Sequence, residues 1–122
     1  MTEFDPVNFV AAIAAQDADA LRQFFVPEAT IYWHDSNEKF CVQEYVRANC
    51  EYPGSWNGEI ERIAKTDSGL ILLTKIFSHD FVTFVTAFIT LSGGKISRLD
   101  EYYADYNTDI PEWRQKMNRP LA

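Results

Sequence analysis

The chain is poor in the residues that build metal centres, disulfide frameworks and anion-binding surfaces. It holds two histidines and two cysteines in 122 residues, with no CxxC and no HxxxH, and two distant histidines beside surface carboxylates do not make a ligand set for a metal. On a helix running from about Cys41 to Asn49, Cys41 and Cys50 would stand on opposite sides and about 13 Å apart along the axis. A disulfide between them is excluded at that distance, and reduced thiols of a cytosolic protein are the expectation. Positive charge is also scarce. Eleven Lys and Arg face eighteen Asp and Glu, a net charge of -7, and the basic residues are scattered singly. That balance argues against a nucleic-acid backbone or an anionic membrane as partner. No apolar run approaches the ~18 residues of a membrane span. The start, Met1-Thr2-Glu3-Phe4-Asp5, shows no basic n-region and no signal-peptide core, so a soluble cytoplasmic protein is expected. Gly93-Gly94 reads as a hairpin tip, not as a phosphate loop, because no GxGxxG opens a helix; no cofactor is expected.

What is present is an apolar, aromatic chain of single-domain length, residues 1–122. Hydrophobic residues make up 47% and aromatics 15%, and a chain of this size buries roughly two-thirds of its unfolded surface without staples. Asp5 caps a first helix with Pro6 in its first position, Phe4 is placed to staple onto Phe9, and Phe9, Val10 and Ile13 form the apolar stripe. Asp17 caps a second helix with Leu21, Phe24 and Phe25 facing inward, which Pro27 stops. Ala29 to Trp33 reads as a short strand. A third helix follows from about Cys41 to Asn49, with Val42, Tyr45, Val46 and Asn49 on one stripe.

The period then changes from 3.6 to 2. Turns at Pro53-Gly54, Ser68-Gly69, Ser78-His79-Asp80 and Ser92-Gly93-Gly94-Lys95 separate four strand-like runs: Asn57 to Lys65, Leu70 to Phe77, Phe81 to Leu91 and Ile96 to Tyr103. Asp109-Ile110-Pro111-Glu112 predicts a short terminal helix. Phe84, Thr86 and Phe88 share one face of the long third run and Val85, Ala87 and Ile89 the other. Both faces are apolar, so both are expected to be covered, one by helices and one by a partner or a second layer, which is the sequence's hint of a dimer.

The element order, with particular words in it, resembles the SnoaL-like branch of the nuclear-transport-factor-2-like superfamily. The words are Phe25-Val26-Pro27-Glu28-Ala29-Thr30, Glu51-Tyr52-Pro53-Gly54-Ser55-Trp56, Gly94-Lys95-Ile96, Asp100-Glu101-Tyr102-Tyr103-Ala104-Asp105 and Pro111-Glu112-Trp113-Arg114. The resemblance implies an α+β fold: a cone-shaped curved antiparallel sheet with the N-terminal helices packed in its concave face, a ligand cavity, and a homodimer. It leaves activity open, because the superfamily hosts isomerases, dehydratases, cyclases, epoxide hydrolases and binders.

Within that frame, alternation puts Leu99, Glu101, Tyr103 and Asp105 on one face of the last strand, and the resemblance turns that face into the cavity. Glu101 would be a carboxylate among aromatics, raised by desolvation and able to shuttle a proton. Histidine is the side chain suited to acid–base work near neutrality and Tyr103 can hydrogen-bond, so His34 and Tyr103 are both candidate assistants. Asp35 adjoins His34, but neighbours on a strand point apart. Trp33, Tyr52, Trp56, Phe84, Thr86, Phe88 and Leu99 are the remaining candidate lining. Counting from Ala29-Thr30 and back from Gly94-Lys95, the two acids of ketosteroid isomerases are replaced by Trp33 and Thr86, and the Asp-Arg-Asp group of the epoxide hydrolases is missing. Three readings stand: a cofactor-free isomerase, cyclase or lyase acting on a small apolar or cyclic substrate; a non-catalytic ligand-binding or accessory protein; and a dimerisation module with a closed core.

Overall fold

The structure is a computed structural model that describes residues 3–106 and 109–121; Met1 and Thr2 of the N-terminal reading lie outside them. Helix α1 spans Pro6–Ala15, with the Asp5 carboxylate accepting from the Val7 and Asn8 N–H groups. Phe4 packs on Phe9 at 5.4 Å between ring centroids, which fixes the angle at which the chain enters the helix. Helix α2, Ala18–Arg22, is capped by Asp17 and ends well before Pro27. That proline sits inside strand β1, Phe25–Trp33, beside a register irregularity between Phe25 and Thr30. A bulge is one of the places where a strand tolerates a missing N–H. Strand β2, Glu38–Cys41, is an element the sequence pattern did not announce, being four residues with no apolar alternation. Helix α3, Val42–Cys50, buries Val42, Tyr45 and Val46, and Glu44 reaches back to the Cys41 N–H at 2.9 Å.

Four long strands complete the fold: β3 Asn57–Lys65, β4 Gly69–Phe77, β5 Val82–Ser92 and β6 Lys95–Asp105. The six strands form one unclosed sheet in the order β2-β1-β6-β5-β4-β3. All neighbours are antiparallel except β1 and β6, which run parallel, so the sheet is mixed. The three helices and the concave face enclose the core, where Phe9, Leu21, Ile31, Tyr45, Leu72, Ile96 and Leu99 are almost fully buried. The end expected to be helical is a single 3-10 turn, Glu112–Arg114, with no buried residue. Cys41 and Cys50 are free thiols.

One irregularity sets the site. Across the β5–β6 hairpin Leu91 pairs with Ile96 but Thr90 pairs with Arg98, so Ser97 is an extra residue in β6. Its hydroxyl donates to the Thr90 carbonyl at 3.2 Å. Ile96 and Leu99 both point inward although they are three positions apart, as a bulge requires. Beyond it, Ala87 stands opposite Glu101 and Val85 opposite Tyr103.

Candidate functional site

Because of that one-residue shift, the concave residues of β5 are Thr83, Val85, Ala87 and Ile89, all buried. Phe84, Thr86 and Phe88, expected as cavity lining, project from the convex face, with Phe88 43% exposed. A count back from the Gly93-Gly94 turn without the bulge places Thr86 opposite Glu101 and turns every side chain of the strand to the wrong face. The acid sought at Thr86 is absent from the true concave positions as well.

His34 is a second correction. It follows Tyr32 on the convex side, stacks on Tyr102 at 4.5 Å with ring planes 9° apart, and places Nε2 2.7 Å from Asp100 Oδ1. Asp100 is also gripped by Arg98 through two contacts of 2.8 and 3.1 Å; that guanidinium, ahead of His34, holds the Asp100 carboxyl below its ordinary value. His34 belongs to this outer ion-pair group and does not face the cavity. Leu99 points inward but is sealed in the core.

The concave side holds two adjoining hollows. The larger, about 330 Å³, opens between the ends of α1 and α3 and the far ends of β1, β5 and β6; Trp33, Tyr52, Trp56, Phe81 and Tyr103 supply its aromatic walls. Its helical rim is tied by Gln16, which takes the left-handed cap of α1 and donates from Nε2 to the Asn49 and Tyr52 carbonyls, while Asn49 donates to the Ile13 carbonyl at 3.1 Å. The smaller, about 20 Å³, lies deeper beneath it and is bordered by Glu101 and Thr74. Ile13, Ile76 and Tyr103 belong to both. Twenty cubic ångströms is about the room one water-sized group needs.

Glu101 is 2% exposed. Its Oε1 accepts from the Trp33 indole N–H at 2.9 Å, and the Tyr103 hydroxyl also hydrogen-bonds the carboxyl. Burial pushes its pKa up to about 7, against the pull of those two donors and with a further push from Asp35, since a carboxylate without water resists ionisation. Burial, followed by the proximity of Glu101, holds the Tyr103 hydroxyl well above its usual range. Asp35, discounted as a partner for His34, accepts the Tyr103 backbone N–H at 3.2 Å and borders the larger hollow. Trp33, Tyr103 and Glu101 are thus brought together, and Tyr52 and Trp56 border the larger hollow along with Trp33 and Tyr103. The sequence reading missed Thr83 and Phe81 behind the bulge, and Gln16 at a helix cap. Among the described residues, no group of three or more His, Cys, Asp or Glu is placed to hold a metal, and no helix is long and apolar enough to cross a membrane.

The curved, unclosed mixed sheet with three helices has the architecture of the nuclear-transport-factor-2-like α+β cone. Solved structures bear this out across most of the chain. A protein provisionally called a ketosteroid isomerase, from Kribbella flavida DSM 17836, superposes with a TM-score of 0.78 at 14% identity, over 95% of this chain and 86% of its own. A nuclear-transport-factor-2-like protein of unknown function from Burkholderia xenovorans LB400 gives 0.76 at 19% identity, over 95% and 91%. A protein with a ketosteroid isomerase-like fold from Catenulispora acidiphila DSM 44928, in complex with trimethylamine, gives 0.69 at 12% identity, over 80% and 83%. No protein-family model matches the chain, and no curated protein does. At these identities the likeness establishes the fold.

Proposed function

We propose that this is a small-molecule-pocket protein acting by acid–base proton transfer, a cofactor-free isomerase, cyclase or lyase for a small apolar or cyclic substrate. The observation that carries this reading is Glu101, almost wholly buried with a pKa pushed up to about 7 and in contact with a hydroxyl that borders the open cavity. A carboxyl poised near the working pH is suited to take and return a proton. Tyr103 borders both hollows and touches Glu101, so it is the group that meets a substrate oxygen in the larger hollow and relays the proton to the carboxyl beneath. His34 has no part in this chemistry.

A second reading, non-catalytic ligand binding or an accessory role, is favoured by one specific feature. Glu101 borders only the smaller hollow, with Tyr103 between it and the larger one. The test is a mass-spectrometric and thermal-shift screen of wild type and Glu101→Gln against cyclic ketones, polyketide-like aromatics, terpenoids and epoxides. The enzyme reading expects a compound that wild type converts and that Glu101→Gln binds unchanged. Equal binding by both without product establishes the binder, and no stabilisation by any compound supports the closed-core module.

The protein is proposed to act as a homodimer through its convex sheet face. Across β4 and β5 on that face Ile71 stands opposite Phe88, Leu73 opposite Thr86 and Lys75 opposite Phe84, with Tyr102 of β6 against Phe88. Arg98 and Lys75 on the same face alternate with Asp100, a mixed-sign arrangement that a second copy can complement.

A further inference from the structure

We infer that the larger hollow takes a protonated amine on an apolar body, an alkyl- or arylalkyl-ammonium with at least one N–H, so that the substrate class of the proposed pocket is cationic. The inference rests on the pocket reading above and goes beyond it in naming the charge and the donor. Two independent observations carry it.

The first is an orphan. Thr83 is 5% exposed, borders the larger hollow, and its Oγ1 has no hydrogen-bond partner in the protein. A buried hydroxyl left unpaired costs stability unless something arrives to pair it. Directly opposite Thr83 across the β5–β6 ladder stands Asp105, on the same face and also bordering the hollow. Side chains directly opposite in an antiparallel pair have Cβ atoms about 5 Å apart. Thr83 Oγ1 is itself turned away from the hollow, so one N–H-bearing group reaches both oxygens when the Thr83 side chain swings its hydroxyl toward Asp105, a rotation that breaks no hydrogen bond. A neutral carbonyl could accept from the Thr83 hydroxyl, but it would turn its own lone pairs toward the Asp105 carboxylate. A hydroxyl could accept from Thr83 and donate to Asp105, but only an ammonium donates to both and brings the charge that the carboxylate attracts.

The second observation is the electrostatic character of the walls. Among the described residues bordering the hollow there is no Lys, Arg or His, while Asp35, Glu38 and Asp105 ring its mouth. A concave site lined by one sign of charge concentrates the opposite sign, and anionic ligands are repelled. The interior is aromatic on two opposed sides. Tyr52, Trp56 and Phe81 meet edge-to-face, with centroids 5.6 and 5.9 Å apart, and Trp33 meets Tyr103 at 5.5 Å. The indole N–H groups of Trp33 and Trp56 are engaged by Glu101 and the Pro53 carbonyl. The aromatic rings bordering the hollow attract a cation through their quadrupole and pack an apolar body.

The experiment uses matched pairs that differ only in the head group: benzylamine with benzyl alcohol, and 2-naphthylmethylamine with 2-naphthylmethanol. Calorimetry and quenching of tryptophan fluorescence at pH 7.5 read the affinities. The expected result is that each amine binds at least tenfold more tightly than its alcohol. Thr83→Val and Asp105→Asn should each weaken the amine far more than the alcohol and so remove most of that preference. Thr83→Val exchanges an unpaired hydroxyl for a methyl of the same size, so its melting temperature should hold or rise, which keeps the variant interpretable. Alcohols binding as well as amines, or a preference that survives both substitutions, overturns the amine assignment and leaves the pocket standing. Neither member of either pair binding at millimolar concentration overturns the amine assignment and the open-pocket reading together.

Discussion

At the scale of single residues, Glu101 is the most consequential group. Its raised pKa means that the folded state holds a proton which the unfolded chain, at the ordinary carboxylate value of 4.5, has released. Between about pH 4.5 and 7 the native state binds more protons than the unfolded one, so stability falls as pH rises through that window. The full loss is about 3 kcal/mol for a shift of this size. Glu101→Gln keeps an acceptor for the Trp33 N–H and removes the ionisation. Its urea midpoint is therefore expected to be flat from pH 5 to 8, while that of wild type declines, and to exceed wild type at pH 8. A parallel decline in both proteins would show that the Glu101 carboxyl is not the source.

At the scale of elements, two strands and the Ser97 bulge decide which side chains meet. Alternation along β6 puts Glu101, Tyr103 and Asp105 on one face, and the structure keeps them there. β5 carries apolar residues on both faces, so nothing in its pattern marks which face is concave. Only its pairing with β6 beyond Ser97 chooses Thr83 and Val85 over Phe84 and Thr86. β4 begins under a tighter constraint. A Cβ on Gly69 would lie 1.9 Å from the Ile89 carbonyl oxygen, and a backbone atom held in a central strand does not move aside. Gly93, at φ +60°, has open space around it, so an alanine there meets only the backbone cost of the left-handed conformation, about 1 kcal/mol. Gly69→Ala is therefore expected to lower the melting temperature far more than Gly93→Ala. Equal losses would mean that β4 and β5 separate at that end.

At the scale of the whole molecule, no helix among the described residues covers the convex face of the sheet, and Ile71, Leu73, Phe84 and Phe88 make much of that face apolar where β4 and β5 pair. Isolated soluble monomers rarely carry a contiguous apolar patch of more than a few hundred Å². Phe88→Asp places a charge in the middle of the patch and touches neither hollow. It is expected to convert a dimer to a monomer in light scattering after size exclusion, with ligand binding retained. A wild-type monomer at micromolar concentration would overturn the dimer.

The class of fold and the inward turn of Glu101 were implied by the resemblance; the sequence by itself determined the helix caps at Asp5 and Asp17, the hairpin at Gly93-Gly94 and the common face of Glu101, Tyr103 and Asp105. Each of these follows from local chemistry: a side-chain oxygen for orphan N–H groups, a glycine pair for positive φ, a period of two along a strand. The tertiary structure alone decided the rest. β2 is too short to carry a pattern and exists because β1 offers it an edge. The parallel pairing of β1 with β6 joins residues some seventy positions apart, which no local signal encodes. Asp35 came to serve Tyr103 instead of His34, and Asp100 came to serve His34, because the sheet separates neighbours in the chain and joins residues distant in it. The cavity wall on β5 hung on one extra residue in a facing strand, since a shift of one position in a strand exchanges its two faces.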